Sequence, residues 1–291
     1  MELWIPITIA AAFLQNVRSM LQKQLAGRLS VNGATYIRFC YALPLAWLYL
    51  AALSLSRAVP EPTLEFVGYC LAGGMGQMLA TACLVASFTY RNFAVGTAFS
   101  KTEVVQAAVF GLVVLGDLIS WQVGIGIGLS LIGVLMLSAG VRLREVWKLD
   151  RAAGLGLLSG ALFAAAIVSY RGAALALESG DFLVRASFSL AISVSMQTLI
   201  MGAYLLAREP GQMRRVAAAW RPAFWVGLTG MLASAGWLTA VTLETAALVR
   251  AVGQVELLFT FAASVWFFKE RVSSREMLGV AFVVLGIYVL L

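Results

Sequence analysis

Apolar runs of roughly twenty residues recur along this chain, each ended by a short polar or proline-containing break. They cover about 2–26, 32–56, 64–90, 94–115, 119–140, 152–177, 182–206, 219–243, 247–268 and 273–291. A helix needs about 20 mostly apolar residues to cross the hydrocarbon of a bilayer. The pattern therefore predicts an all-α integral membrane protein with ten transmembrane helices. The breaks carry loop chemistry, as in Arg57-Ala-Val-Pro-Glu-Pro62, Tyr90-Arg-Asn92, Leu143-Arg-Glu-Val-Trp-Lys148 and Arg208-Glu-Pro-Gly211. The runs are too long for strands and do not alternate, which argues against a β-barrel.

Composition agrees with that pattern. The chain is 61% hydrophobic and 12% charged, whereas a soluble domain carries about 25% charged residues. A net charge of +7 could suggest a nucleic-acid partner, but the positions of the charges argue otherwise. With ten spans, fourteen of the 21 cations, from Lys23 to Arg275, fall in connections on one face, and Arg57 alone falls on the other. That bias places the basic face in the cytoplasm and both termini outside, in a plasma (inner) membrane. Trp4, Trp121, Trp147, Trp220 and Trp225 lie near segment ends, where an aromatic belt sits. The N-terminus lacks the basic stretch of a cleavable signal, since its first charge is Glu2.

Histidine is absent and the three cysteines are scattered through apolar runs, so no metal site or cofactor is expected. No HExxH pattern, paired aspartates or phosphate-binding GxxxxGK[ST] loop occurs. An enzyme and an ATP-driven pump are therefore disfavoured.

The chain also repeats. Residues 94–137 align with 247–290 without a gap at an offset of 153. The weight falls on the rare matches: Glu103 with Glu256, Asp117 with Glu270, Gly126 with Gly279, and Gly133 with Gly286. Arg38 pairs with Arg185 at an offset of 147, and Gly-Gly-Met-Gly at 73–76 resembles Gly-Leu-Thr-Gly at 227–230. Two halves, 1–140 and 152–291, follow. Five helices per half is an odd number, so the second half enters the membrane inverted. A monomer can in principle provide both halves of a site.

An acidic residue within a helix, a run ending in Leu-Gly-Asp117 or Phe-Lys-Glu270, and a glycine-spaced final helix resemble the EamA-type repeat of the drug/metabolite transporter superfamily. The resemblance covers the whole chain. It implies two inverted bundles, a central cavity lined by the first four helices of each half, and a peripheral fifth. Val104 and Leu257 stand where many members carry proline, which removes the usual cause of a helix kink there.

Ionisable residues inside a membrane are costly and mark candidate sites. Gln15, Arg18 and Gln22 share one face of the first helix. Arg18 suits anion recognition; alternatively it snorkels to headgroups or pairs with Glu103. Arg38 and Arg185 lie at equivalent depths on opposite sides, as gating residues or as ordinary snorkelling cations. Glu103 shares a face with Ser100 and Gln106, and Glu256 with Gly253 and Thr260. Each glutamate is a candidate proton carrier or one member of a permanent pair with Arg18, Lys101 or Arg250. Lys101 lies about 200° around a regular helix from Glu103. Glu244 is a further candidate partner for Arg250, and Tyr170 with Arg171 is read as interfacial. Trp47 and Trp237 lie deeper than the belt, with Trp237 either flooring a cavity or packed in the core.

These features lead to an expected secondary active transporter, an exporter of a small polar anionic or zwitterionic metabolite such as an amino acid or organic acid. It would work by alternating access with protons as the coupling ion. The alternatives are a multidrug or cationic-compound exporter and a lipid-phosphate flippase.

Overall fold

The computed structural model describes residues 2–23, 25, 28–87, 98–137, 151–268 and 273–290, with the backbone alone at 23 and 263–268. Arg91, Ala94, Arg142, Arg144, Trp147, Lys148, Lys269, Glu270 and Arg271, used above for sidedness and for the repeat, lie outside the described residues.

Among the described residues the regular elements are helices. They are α1 (Trp4–Lys23), α2 (Val31–Cys40), α3 (Ala42–Ser54), α4 (Leu64–Ser87), α5 (Glu103–Phe110), α6 (Trp121–Leu137) and α7 (Arg151–Leu175). Then come α8 (Phe182–Arg208), α9 (Gln212–Ala218), α10 (Trp220–Leu243), α11 (Ala246–Val252), α12 (Val255–Phe268) and α13 (Ser274–Leu290). A wider π turn, Gly111–Leu115, continues α5 and ends at Gly116, whose φ of 71° suits glycine. Among the described residues six stretches are long and apolar enough to cross a bilayer: Val31–Ser54, Leu64–Ser87, Ala98–Leu115, Arg151–Leu175, Phe182–Arg208 and Trp220–Leu243. The chain is thus an all-helical integral membrane protein. Its helices occupy the apolar runs, and α9 is a short addition within one of the breaks.

The helices cluster into two compact units, Met1–Gly74 with Tyr170–Leu243, and Met75–Ser169 with Glu244–Leu291. Each unit draws on both halves of the sequence. In the first unit α1 packs along α10, and α8 packs on α2, α3 and α10. Small residues allow the first contact: a Cβ on Gly236 would lie 2.8 Å from the Ala11 Cβ. Lipid tails are as apolar as leucine, so close backbone approach supplies much of the packing energy between such helices.

The two ends of the first unit are tied in related ways. Ser30 caps α2 by accepting from the Gly33 N–H, and its hydroxyl donates to Glu209 at 2.5 Å; Asn32 donates to the same carboxylate at 2.7 Å. Asp181 caps α8 by accepting from the Val184 N–H at 2.9 Å and pairs with Arg57. Each cap therefore satisfies an orphan helix donor and bonds to another segment of its unit.

In the second unit α6 lies antiparallel to α13. A Cβ on Gly126 would lie 3.0 Å from the Gly286 carbonyl oxygen, and one on Gly133 would lie 2.6 Å from that of Gly279. Each glycine thus faces the repeat counterpart of the other, as around a twofold axis.

Candidate functional site

Both glutamate-bearing segments of the second unit are interrupted just before the glutamate. At the first interruption, the Lys101 N–H donates to the Ala98 carbonyl at 3.2 Å and the Thr102 N–H to that of Phe99 at 3.1 Å. At the second, the Gln254 N–H donates to Ala251 at 3.2 Å and the Glu256 N–H to Gly253 at 3.1 Å. Bonds spanning three residues replace the α-helical ladder, so the turn tightens and the helix restarts. No proline is needed. Near the first break the backbone of α7 comes close: a Cβ on Gly160 would lie 2.9 Å from the Ser100 carbonyl oxygen and 3.3 Å from the Glu103 nitrogen.

The breaks set the geometry of four charges. Glu103, 3% exposed, opens α5 and pairs with Arg250 of α11. Glu256, 9% exposed and in the first turn of α12, pairs with Lys101. In a regular helix Lys101 and Glu103 would point well apart; across the tightened turn both reach α11–α12. Each glutamate takes its cation from the other half of the sequence. Lys101 also feels Glu103, and Arg250 feels Glu256, so the four act as one network with no net charge. A helix N-terminus favours a carboxylate, and both glutamates hold that position. Gln254, almost fully buried, donates to the Arg250 carbonyl at 3.3 Å, and Gln106 donates to the Thr102 hydroxyl at 3.1 Å.

The first unit holds the other polar set. Gln15 accepts from the Trp237 indole at 3.0 Å, and Gln22 donates to the Ala34 carbonyl at 2.9 Å. Arg18 lies between them in sequence and passes α10 at Gly230, where a Cβ would lie 3.2 Å from its Cδ and 3.7 Å from the Arg38 carbonyl oxygen. The Arg38 guanidinium sits 4.7 Å from the Phe39 ring centre and feels both Arg18 and Tyr170. Tyr170 is 5% exposed, and its oxygen accepts from Gln197 at 3.4 Å. Gln197, 1% exposed, also donates to the Gly74 carbonyl at 3.3 Å.

Other candidates are placed apart. Arg185 donates to the Gly180 carbonyl at 2.9 Å and so closes its own loop, in surroundings unlike those of Arg38. Thr260 is exposed and bonds back to the Glu256 carbonyl at 3.0 Å. Tyr170 is buried among its neighbours, and Arg171 donates to the Val241 carbonyl at 3.0 Å. Trp47 is 43% exposed, with its indole donating to Ser195 at 3.0 Å. Glu244 accepts from the Thr245 N–H at 2.6 Å, while Arg250 pairs with Glu103. Sequence reasoning named Lys101 and Arg250 only as possible ion-pair partners of the glutamates, and left Tyr170 and Gln197 out of the candidate site. For Gln197 a signal existed: a lone amide in the apolar run Ser-Val-Ser-Met-Gln-Thr-Leu-Ile. For the cations the signal was only the need of each glutamate for a partner.

The sequence matches the EamA-like transporter family over residues 2–139 and again over 151–291. No curated protein matches it. A protein of known crystal structure superposes with a TM-score of 0.72 over 98% of this chain and 95% of its own, at 14% sequence identity. That likeness shows a shared fold. The family match covers both halves and agrees with the membrane-spanning helices: the chain belongs to the EamA-like transporter family, and it is a membrane transporter of the drug/metabolite type.

Proposed function

We propose that the protein is a secondary active exporter of a small polar anionic or zwitterionic metabolite, such as an amino acid or organic acid. It works by alternating access, with protons as the coupling ion. The observation that carries this reading is the distribution of charge. Glu103 and Glu256 are each engaged by a cation, so they offer no surplus negative charge to a cationic compound. Arg18 and Arg38 stand close enough to repel one another, a setting that favours a negative group. The glutamates retain a coupling role, because protonating either one would leave its cation unmatched and unbalance the network.

This reading places the protein in the plasma (inner) membrane with ten spans, in two inverted halves of 1–140 and 152–291. Both termini lie outside, and a monomer is sufficient. Arg18, Arg38, Gln15, Gln22 and Trp237 serve the substrate; Glu103, Gln106, Glu256 and Thr260 serve coupling; Arg185 serves the outer gate. Counterflow into proteoliposomes tests it, with labelled amino acids, organic acids and organic cations offered in parallel. An anionic or zwitterionic substrate should be exchanged, and Arg18→Ala should abolish that exchange. Exchange of organic cations that survives Arg18→Ala would establish the cationic-compound reading instead.

A further inference from the structure

Arg208 closes α8, Arg214 and Arg215 lie on α9, and Arg221 is the second residue of α10. Both α8 and α10 are long and apolar enough to cross a bilayer, so the four arginines stand where two spans leave the hydrocarbon. The connection between the spans is tight. Gly211, with a φ of 81°, lets the Gln212 N–H reach back to the Glu209 carbonyl at 3.1 Å, and the Ala223 N–H donates to the Ala219 carbonyl at 3.0 Å as α10 begins. The helix between them, α9, is about 10 Å long at the standard rise, which keeps the guanidiniums together. One face of α9 is fixed. Gln212 and Val216, four residues apart, are buried; Val216 packs with Leu25 and Leu29, and its carbonyl accepts from the Tyr41 hydroxyl at 3.3 Å. Arg214 and Arg215 are therefore turned outward, and all four arginines are exposed. Glu209 is the one acid from Phe182 to Leu243, and its two oxygens accept from Ser30 and Asn32. Among the described residues no carboxylate pairs with any of the four cations.

We propose that Arg208, Arg214, Arg215 and Arg221 form a docking shelf for the headgroups of anionic phospholipids such as phosphatidylglycerol. Basic residues beside a span strengthen the hold on anionic lipid by roughly fivefold per cation. Guanidinium adds geometry to charge, since it can give two parallel hydrogen bonds to one phosphate. The apolar rim of the shelf suits the rest of such a lipid. Trp220 and Trp225 are 57% and 55% exposed beside the cations, and indoles favour the headgroup level of a membrane. The Arg221 guanidinium sits 5.4 Å from the Trp220 ring centre, which braces its face and leaves the N–H edge for a phosphate. An acidic soluble partner would match the cations alone; a lipid covers the cations and the exposed indoles together. Because Val216 of α9 packs on Leu25 and Leu29, a lipid held there would also brace the connection from α1 to α2. The shelf shares no residue with the charge network of the second unit, and the proposal holds whatever solute is carried.

The test is lipid binding to the purified full chain in detergent, read by native mass spectrometry as lipids bound per protein and by thermal stabilisation. Phosphatidylglycerol and phosphatidylcholine with the same acyl chains are the probes, so that the headgroup alone differs. Phosphatidylglycerol should bind at least about tenfold more tightly, and the preference should shrink as salt rises. Arg214→Gln and Arg215→Gln should each weaken its binding about fivefold, and the double variant more than about tenfold. Both side chains are exposed and glutamine is a good helix former, so these variants should fold as the wild type does. Arg57→Gln, at a cation that already has Asp181 as its partner, should bind phosphatidylglycerol unchanged. Equal binding of the two lipids, or an unchanged preference in the double variant, would overturn the shelf. Displacement of the lipid by glycerol 3-phosphate at equal concentration would overturn it in favour of a soluble phosphate. Binding of oligoglutamate that the double variant loses, with no preference between the lipids, would overturn it in favour of an acidic protein.

Discussion

Glu103 is held by Arg250, a residue 147 positions away on the opposite half of the sequence. Lys101 and Glu256 form the reciprocal pair. The repeat aligns the two glutamates with each other but aligns neither cation with the other, so the two pairs share a plan and differ in detail. Removing one partner of a buried pair costs about 3–5 kcal/mol, because the other charge is left uncompensated. Arg250→Met should therefore lower the melting temperature strongly. The double variant Glu103→Gln/Arg250→Met should recover much of that loss, as a melting series in detergent would show.

The pair of Arg57 with Asp181 makes a useful contrast. Both side chains are more than a third exposed, where solvent and salt screen the attraction and an ion pair is worth about 0–1 kcal/mol. Arg57→Ala should leave the melting temperature within a degree or two of the wild type, even though the geometry of the pair resembles that of Arg250 with Glu103.

The glycine-lined contact between α6 and α13 leaves no room for a side chain. Gly133→Leu would press its Cβ against the Gly279 carbonyl, a rigid backbone group. Overpacking of this kind costs about 1–3 kcal/mol. Gly124→Ala on the same helix meets nothing within 4 Å and should be neutral or slightly stabilising. Parallel thermal melts of the two variants check both expectations.

Gly160 is tied to the site itself. Its absent Cβ lets α7 approach the break that aims Lys101 and Glu103. Gly160→Ala should reduce transport in proteoliposomes severalfold while leaving the amount of folded protein in the membrane unchanged. Gly154→Ala on the same helix, where nothing lies within 4 Å, should transport normally.

The helices could be read from the chain because apolar runs of membrane length have few other outcomes. The run at 152–177 became α7, Arg151–Leu175, almost residue for residue. The equivalence of Glu103 and Glu256 was also visible, since rare residues at a fixed offset stand out against an apolar background. The breaks before them were not. Proline was the sign sought, whereas these turns form without it, and the first is met by Gly160 from a different helix. Lys101 and Arg250 were among the partners the chain offered, but which glutamate each would meet was hidden for a related reason. Helical periodicity relates neighbours three and four apart, while Arg250 and Lys101 reach their acids across the repeat. Tyr170 owes its burial to neighbours on other helices, Gly73 and Gln197, which spacing along its own helix does not reveal.

The most direct test of the account is proton movement driven by substrate. Proteoliposomes loaded with a pH-sensitive dye, and supplied with the substrate found by counterflow, would report it. In the wild type, adding substrate on one side should shift the internal pH. In Glu103→Gln/Glu256→Gln that shift should vanish, while substrate exchange without a proton gradient continues. A double variant that moves protons as the wild type does would contradict coupling through these two carboxylates.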